Sequence, residues 1–113
     1  MHGFLTVYKA SAGSGKTFTL AAEYIAMIIG NLEENHRNVL AVTFTNKATA
    51  EMKQRVLKEL WDMGYKAGYS ASDFFQTVAR KCPGVDNGQI CERAKEALHA
   101  ILHDYDYFHV KTI

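Results

Sequence analysis

A turn of small residues between two apolar segments constrains this chain most. The turn spans residues 10–17 and reads A-S-A-G-S-G-K-T. The segment before it, Phe4–Tyr8, is apolar and β-branched, as is typical of a strand, and residues 18–29 have the composition of a mostly buried helix. Gly13 and Gly15 allow positive φ angles and leave no Cβ between the backbone and a ligand. The sequence therefore predicts a strand, a tight turn and a helix, in that order.

The residue types in this turn fit a phosphate-binding loop. The pattern is G-x-x-x-x-G-K-[ST], with Ala10 in place of the first glycine. Backbone N–H groups at the N-terminus of a helix converge on an anion, so we expect ATP to bind here. Lys16 is predicted to contact the β- and γ-phosphates as the catalytic residue, and the Thr17 hydroxyl is predicted to bind Mg²⁺. The predicted nucleotide-binding residues are Ser11, Ala12, Gly13, Ser14, Gly15, Lys16 and Thr17.

The composition allows one domain with a substantial core. The chain has 113 residues, of which 48% are hydrophobic. With 13 basic and 12 acidic residues, any contact with nucleic acid must be local. Cys82 and Cys91 lack the spacing of a metal site and are expected to be reduced thiols. We find no secretory segment and no apolar stretch long enough for a membrane span, so we expect a cytoplasmic protein without a membrane partner.

The remaining predicted elements are one strand, three helices and a final strand. Residues 39–44 form a continuous apolar run, which predicts a strand covered on both faces, after a solvated connection over residues 33–38. Helices are predicted at Lys47–Met63, which ends at Gly64, and at about Ser72–Lys81 and Gln89–Asp104, and residues 107–113 alternate like a strand. The apolar positions expected to face the core on the first and last of these helices are Ala48, Met52, Val56, Leu57, Leu60, Trp61, Ile90, Ala94, Ala97, Leu98, Ile101 and Leu102.

A second polar cluster lies where the second predicted strand meets the next helix. The string Thr43–Met52 reads T-F-T-N-K-A-T-A-E-M, and Thr45 or Asn46 can cap the helix. Ligands of open α/β sheets bind beyond the carboxyl ends of the strands. Hydroxyls, an amide and an exposed aromatic side chain at that place can hold a phosphodiester backbone and stack a base. An ordinary cap on a surface helix explains the same residues equally well, so the residue types alone leave both interpretations open.

Taken together, the two motifs resemble motifs I and Ia of superfamily 1 helicases of the UvrD/Rep type. The first reads Y-K-A-S-A-G-S-G-K-T and the second L-A-V-T-F-T-N-K-A-T-A-E-M-K, and the closing H-V-K-T-I is similar to the start of motif Ib. The nearest resemblance is to the RecB/AddA branch, the helicase subunits of ATP-dependent exonucleases (exodeoxyribonuclease V). The resemblance implies an α/β fold, a partial RecA-like P-loop NTPase domain with a short parallel sheet flanked by helices.

The resemblance also implies a function and a set of DNA contacts. Residues 1–113 would be the N-terminal part of the first RecA-like domain, cut at its C-terminus. The parent protein would be an ATP- and Mg²⁺-dependent DNA helicase and exonuclease that acts in recombination and double-strand break repair. Its partners would be single- or double-stranded DNA and a subunit of a RecBCD/AddAB-like complex. The residues implied to contact DNA are Phe44, Thr45, Asn46, Lys47 and Arg55.

The chain lacks other residues that ATP hydrolysis requires. Hydrolysis needs an aspartate on a strand to bind the metal, a second carboxylate to activate water, and an arginine to stabilise the transferred phosphoryl group. None of these is evident in the sequence, and Asp104, the candidate aspartate, is expected to end a helix. We therefore expect this chain to bind nucleotide without hydrolysing it or unwinding DNA. RecA-like sheets usually carry a further strand between those of motifs I and Ia, so an incomplete sheet with an exposed edge is expected.

Two alternative functions stay open at this point. A small P-loop kinase would need a lid rich in arginine, yet only Arg80 and Arg93 occur between Gly64 and Asp106. A non-enzymatic interaction module would keep the loop as a relic. Weaker candidates are His99 and His103, which are expected to lie on a solvated helix face and not to bind a metal.

Overall fold

The chain folds as a strand–helix–strand unit followed by three helices and a third short strand. The computed structural model describes residues 4–7, 14–30, 36 and 39–112, with side chains from Thr17 onward. The elements are β1 (Phe4–Val7), α1 (Ser14–Gly30), β2 (Val39–Thr43), α2 (Asn46–Tyr65), α3 (Asp73–Lys81), α4 (Asn87–His103) and β3 (Val110–Thr112), with short 3₁₀ turns at Tyr69–Ala71 and Tyr105–Tyr107.

The three strands form one parallel sheet in the order β1-β2-β3. Val7 pairs with Val42, and Thr43 pairs with Thr112, so the carboxyl ends of all three strands lie along one edge. β1 and β2 pair directly, without the further strand that RecA-like sheets usually carry between them. Direct pairing satisfies backbone N–H and C=O groups that a gap would leave without partners.

The sheet carries its helices on one face. In β2 the residues Val39, Ala41 and Thr43 are buried, whereas Leu40 and Val42 are half-buried. The buried residues face the helices, since the hydroxyl of Thr43 contacts α2. The prediction of a strand covered on both faces is therefore wrong for the described residues, because an apolar run does not by itself show that a second layer is present.

The core lies between this face of the sheet and the four helices. α1 is buried on most of its circumference, and α2 packs mainly on α1 and α4. The guanidinium of Arg93 on α4 donates to the carbonyl oxygen of Ile29 at 2.8 Å, which satisfies an unpaired acceptor at the end of α1. The largest fully buried side chains are Tyr24, Phe75, Phe108, Ile25, Met52, Leu60, Met63, Ile90 and Ile101. Among the described helices none has the length and apolarity to cross a lipid bilayer.

The helix starts follow from local side-chain capping. The Thr45 hydroxyl accepts from the backbone N–H of Ala48 at 3.0 Å, which confirms the predicted cap of α2. Ser72 caps α3 in the same way, and Asp86 caps α4 within a capping box. At the other end of α4 the C-cap is Asp104, so the prediction that this residue ends a helix is confirmed.

Gly64 does not end α2, as the sequence predicted, but lies within its last turn. A Cβ at this position would lie 2.7 Å from Cγ and 3.3 Å from the backbone nitrogen of Lys95 on α4. The glycine is therefore required by the close approach of two helices, and the helix continues to Tyr65.

Four further predictions are wrong. Trp61 and Leu102 are 55% and 57% exposed, although both were expected in the core. On α2, Glu59 occupies the buried stripe and leaves Trp61 on its flank. His36, expected in a solvated connection, is buried and lies 3.3 Å from the carboxylate of Asp104. The last strand begins only at Val110, because the chain first makes a 3₁₀ turn that buries Phe108.

Candidate functional site

The predicted phosphate loop is described only at its C-terminal end. Ser11, Ala12 and Gly13 lie outside the described residues. The backbone of Ser14, Gly15 and Lys16 forms the first turn of α1. A helix that starts at this place is what an anion-binding loop requires, because the N–H groups of its first turn lack intrahelical acceptors. The contacts predicted for Lys16 with phosphates stay predictions.

Thr17 lies beside the middle of α2. Its half-buried side chain lines an open cavity of about 310 Å³, and the other lining residues are Glu51, Gln54, Arg55 and Lys58. The predicted Mg²⁺ ligand is therefore at the edge of a polar, solvent-connected space.

Arg55 is fixed by a buried carboxylate. Its Nε donates to Glu59 at 2.7 Å, and its guanidinium lies 5.5 Å and 5.6 Å from the ring centroids of Phe18 and Phe74. The side chain of Glu59 is 3% exposed and also accepts a hydrogen bond from the Tyr69 hydroxyl. Burial, together with the hydrogen bond and the charge of Glu59, raises the pKa of Tyr69 well above its usual value. The phenol therefore stays protonated as a donor, and the arginine is held against two aromatic rings.

The other four predicted DNA contacts come together at the carboxyl end of β2. Phe44, Thr45, Asn46 and Lys47 are consecutive and exposed, and we call these four residues the strand-end surface. The exposed fraction of Phe44 is 47%, which is large for a phenylalanine and leaves its ring open to solvent. Arg55 is not part of this surface, since it lies nine positions after Asn46 in α2, a rise of about 13 Å along the helix.

Three threonines beneath this surface were not identified from the sequence. The hydroxyl of Thr49 lies 2.6 Å from that of Thr43 and 2.7 Å from that of Thr112. Thr43 is fully buried. A usable signal was present, because a hydroxyl residue stands at the end of each of two strands and a third stands in the first turn of the helix.

The weaker candidates occupy ordinary places. Burial raises the pKa of the Cys82 thiol, despite the nearby charge of Arg93, so this cysteine is a protonated core residue. His99 and His103 are exposed on α4, and a hydrogen bond of 2.7 Å joins the His99 ring to the Tyr65 hydroxyl. Across the part of the chain that the structure describes, no group of three candidate metal ligands comes together.

Known proteins resemble this chain in sequence, over nearly its whole length for one family and over about half of it for individual relatives. Residues 2–112 match the family described as the UvrD/REP helicase N-terminal domain. The chain is 47% identical over 53 residues to the RecBCD enzyme subunit RecB of Chlamydia muridarum, and the matched segment covers 46% of this chain and 5% of that protein. It is 51% identical over 53 residues to the ATP-dependent DNA helicase PcrA of Staphylococcus aureus, which covers 47% of this chain and 7% of that protein.

The matched segments are thus a small part of either relative, and no solved structure matches the chain. The family match, in contrast, covers nearly every residue and includes both motifs. By that match the chain belongs to the UvrD/REP helicase family, and its match is to the N-terminal domain of those DNA helicases.

Proposed function

We propose that residues 1–113 are the nucleotide- and DNA-binding N-terminal part of a helicase motor domain with a partial RecA-like architecture. One observation carries the proposal. Because Val7 of β1 pairs in parallel with Val42 of β2, the segment that follows β1 and the strand-end surface leave the sheet at the same edge. The predicted phosphate loop belongs to that segment, so ATP and DNA would bind side by side beyond the carboxyl ends of the strands.

The residues of the loop fit ATP with Mg²⁺. The first turn of α1 presents N–H groups to the phosphates, and Lys16 adds a positive charge near the β- and γ-phosphates. Thr17, whose side chain lines the cavity, would hold Mg²⁺ through its hydroxyl. Bound Mg²⁺ neutralises phosphate charge. The chain supplies binding without the carboxylates and arginine of hydrolysis, so we expect it to bind ATP and not to turn it over.

The strand-end surface fits single-stranded DNA. The ring of Phe44 stacks on a base, and Lys47 neutralises a phosphate. Thr45 and Asn46, at the N-terminus of α2, offer polar groups to the sugar-phosphate backbone. Arg55 remains a predicted DNA contact from the resemblance, although the structure places it beside Thr17 and Glu59.

For the parent protein we propose a cytoplasmic, ATP-driven helicase of the exodeoxyribonuclease V type in DNA recombination and double-strand break repair. One of the relatives is a subunit of the RecBCD enzyme, which supports a partner subunit of that kind. The matched segment in PcrA supports helicase activity in general and does not distinguish the two branches.

The loop is tested by binding of fluorescently labelled ATP and ADP with Mg²⁺ to the native chain and to Lys16→Ala. Loss of a charge-assisted contact should weaken binding about tenfold or more. Lys66→Ala, which removes an exposed lysine at the end of α2, is the matched control and should bind like the native chain. Equal binding by all three, or none by a folded native chain, contradicts the nucleotide site. Binding of an oligo-dT probe by the native chain then separates a helicase fragment from a small-molecule kinase.

A further inference from the structure

A chain of short hydrogen bonds joins two strands and a helix beneath the strand-end surface. Thr43 ends β2, Thr112 ends β3, and the two are partners in the parallel register. Thr49, in the first turn of α2, places its hydroxyl 2.6 Å from that of Thr43 and 2.7 Å from that of Thr112. One side chain therefore connects the carboxyl ends of two strands with the start of the helix.

The proton count of the three hydroxyls gives the chain a direction. Each hydroxyl donates one proton. Thr43 has two carbonyl acceptors within reach, that of Thr45 at 3.3 Å and that of Lys111 at 3.4 Å. When Thr43 donates to either carbonyl, it accepts from Thr49, and Thr49 in turn accepts from Thr112. Thr43 is 0% exposed, so water does not reach its hydroxyl and cannot take the place of Thr49 as the donor.

The same hydroxyl chain supports the segment that carries the strand-end surface. The carbonyl oxygen of Thr45 accepts from the backbone N–H of Thr49 at 3.0 Å and lies within reach of the Thr43 hydroxyl. The Thr45 side chain is itself engaged as the cap of α2. These hydrogen bonds thus hold the backbone between Thr43 and Thr49 on its buried side, while Phe44 and Asn46 lie on its exposed side.

We propose that Thr49 is a positioning residue for DNA binding, whose hydroxyl holds the strand-end surface in its binding arrangement and links it to the end of β3. This inference rests on the proposed function, since it assumes that Phe44–Lys47 contact single-stranded DNA. Thr49 itself touches no DNA in this scheme. It acts through the hydroxyls of Thr43 and Thr112.

The test compares Thr49→Val, which keeps the shape and removes the hydroxyl, with Thr49→Ser, which keeps the hydroxyl. Affinity for a fluorescein-labelled oligo-dT is measured by anisotropy, beside Mg²⁺-nucleotide affinity and the melting temperature. We expect Thr49→Val to weaken oligo-dT binding about fivefold, as for one lost hydrogen bond, while Thr49→Ser restores it and nucleotide affinity is unchanged. Thr77→Val removes a hydroxyl that donates to the backbone carbonyl oxygen of Asp73 on α3, and it is the matched control.

The outcomes separate this inference from the function on which it rests. Native oligo-dT affinity in Thr49→Val overturns the inference alone, and so does an equal loss in Thr49→Ser or a parallel fall in nucleotide affinity and melting temperature. Absence of oligo-dT binding by the native chain overturns the proposed function and the inference together. Amide hydrogen exchange gives a readout without DNA: residues 44–47 should exchange faster in Thr49→Val, and unchanged exchange contradicts the positioning role.

Discussion

The two halves of α2 place charged and polar residues in opposite environments. Its start, together with the preceding loop, exposes four consecutive residues, 44–47, that pack against little of the described protein. Its second half buries the carboxylate of Glu59 between Arg55 and Tyr69 and approaches α4 so closely that Gly64 has no room for a Cβ. Residues 44–47 and Arg55 were all predicted to contact DNA, yet the first four are exposed and Arg55 is paired with a buried carboxylate.

This difference distinguishes residues whose identity is explained by contacts within the protein from residues whose identity would be explained by a bound ligand. Arg55 has an internal reason for its identity, because it neutralises a buried carboxylate and covers two aromatic rings. Phe44 has no such reason, because nearly half of its surface is exposed at the edge where ligands of open sheets bind. A charged residue that follows a binding motif is therefore weaker support for a ligand contact than an exposed aromatic residue within it.

Removal of Glu59 should have the largest effect on folding. Glu59→Ala leaves Arg55 without its carboxylate and Tyr69 without its acceptor. We expect the free energy of unfolding to fall by about 2–3 kcal/mol, somewhat below the usual cost of breaking a buried pair because the Arg55 side chain is 31% exposed. Urea denaturation measures the change. Glu92→Ala, which breaks an exposed pair with Lys95, should stay within about 0.5 kcal/mol.

The same variant also tests whether the two halves of α2 are independent. Under conditions where Glu59→Ala is folded, its affinity for oligo-dT should equal that of the native chain. A clear loss of affinity would show that the placement of Arg55 matters for DNA, as the sequence resemblance predicts, and would contradict the separation argued above. A stability change no larger than that of Glu92→Ala would contradict the structural role of the pair.

Phe44→Ala should show the reverse pattern. Loss of one base–aromatic stack should weaken oligo-dT binding about tenfold. The free energy of unfolding should change by less than about 0.5 kcal/mol, because the ring is largely exposed. Trp61→Ala removes an exposed aromatic side chain from the second half of α2 and is the control. If Trp61→Ala weakens DNA binding as much as Phe44→Ala does, the strand-end surface is not the specific contact.

The sequence predicted the elements well where local rules decide them. β1, α1 and the start of α2 follow from residue type and from the Thr45 cap, and the family match agrees with the resemblance of the two motifs. The predictions from sequence failed where the burial or the end of an element depends on which other element packs against it. The apolar run of β2 does not reveal that the described helices cover one face, and Gly64 looks like a helix end until α4 is placed beside it.

The candidate site divides in the same way. Phe44–Lys47 could be predicted because they are contiguous, and contiguous residues at a strand end are presented together. Arg55 was named as a DNA contact because of the family resemblance, which does not show that α2 places it about 13 Å beyond Asn46. Thr112 and Thr49 were missed, because they are 63 residues apart and meet only through the pairing of β2 with β3.

The smallest expected effect is an alkaline loss of stability that involves Tyr69, whose hydroxyl donates to Glu59 in the second half of α2. Its raised pKa means that the folded chain keeps the phenolic proton at a pH where the unfolded chain releases it, above about 10. The free energy of unfolding should therefore be unaffected by this group below pH 9 and should fall between pH 9 and 11. The loss should be below about 1 kcal/mol, because Tyr69 is partly exposed and solvent screens its charge.

Urea denaturation between pH 8 and 11 measures this loss in the native chain and in Tyr69→Phe. The variant should be less stable at pH 8, because Glu59 loses a donor, and should show a shallower decline toward pH 11. Tyr24, which is buried and also has a raised pKa, adds the same decline to both proteins, so only the difference between them reports Tyr69. Tyr65→Phe, which removes an exposed phenol from the last turn of α2, is the control. Equal declines in the native chain and Tyr69→Phe would show that folding does not hold the phenolic proton of Tyr69, and would contradict the contribution of its hydrogen bond to Glu59.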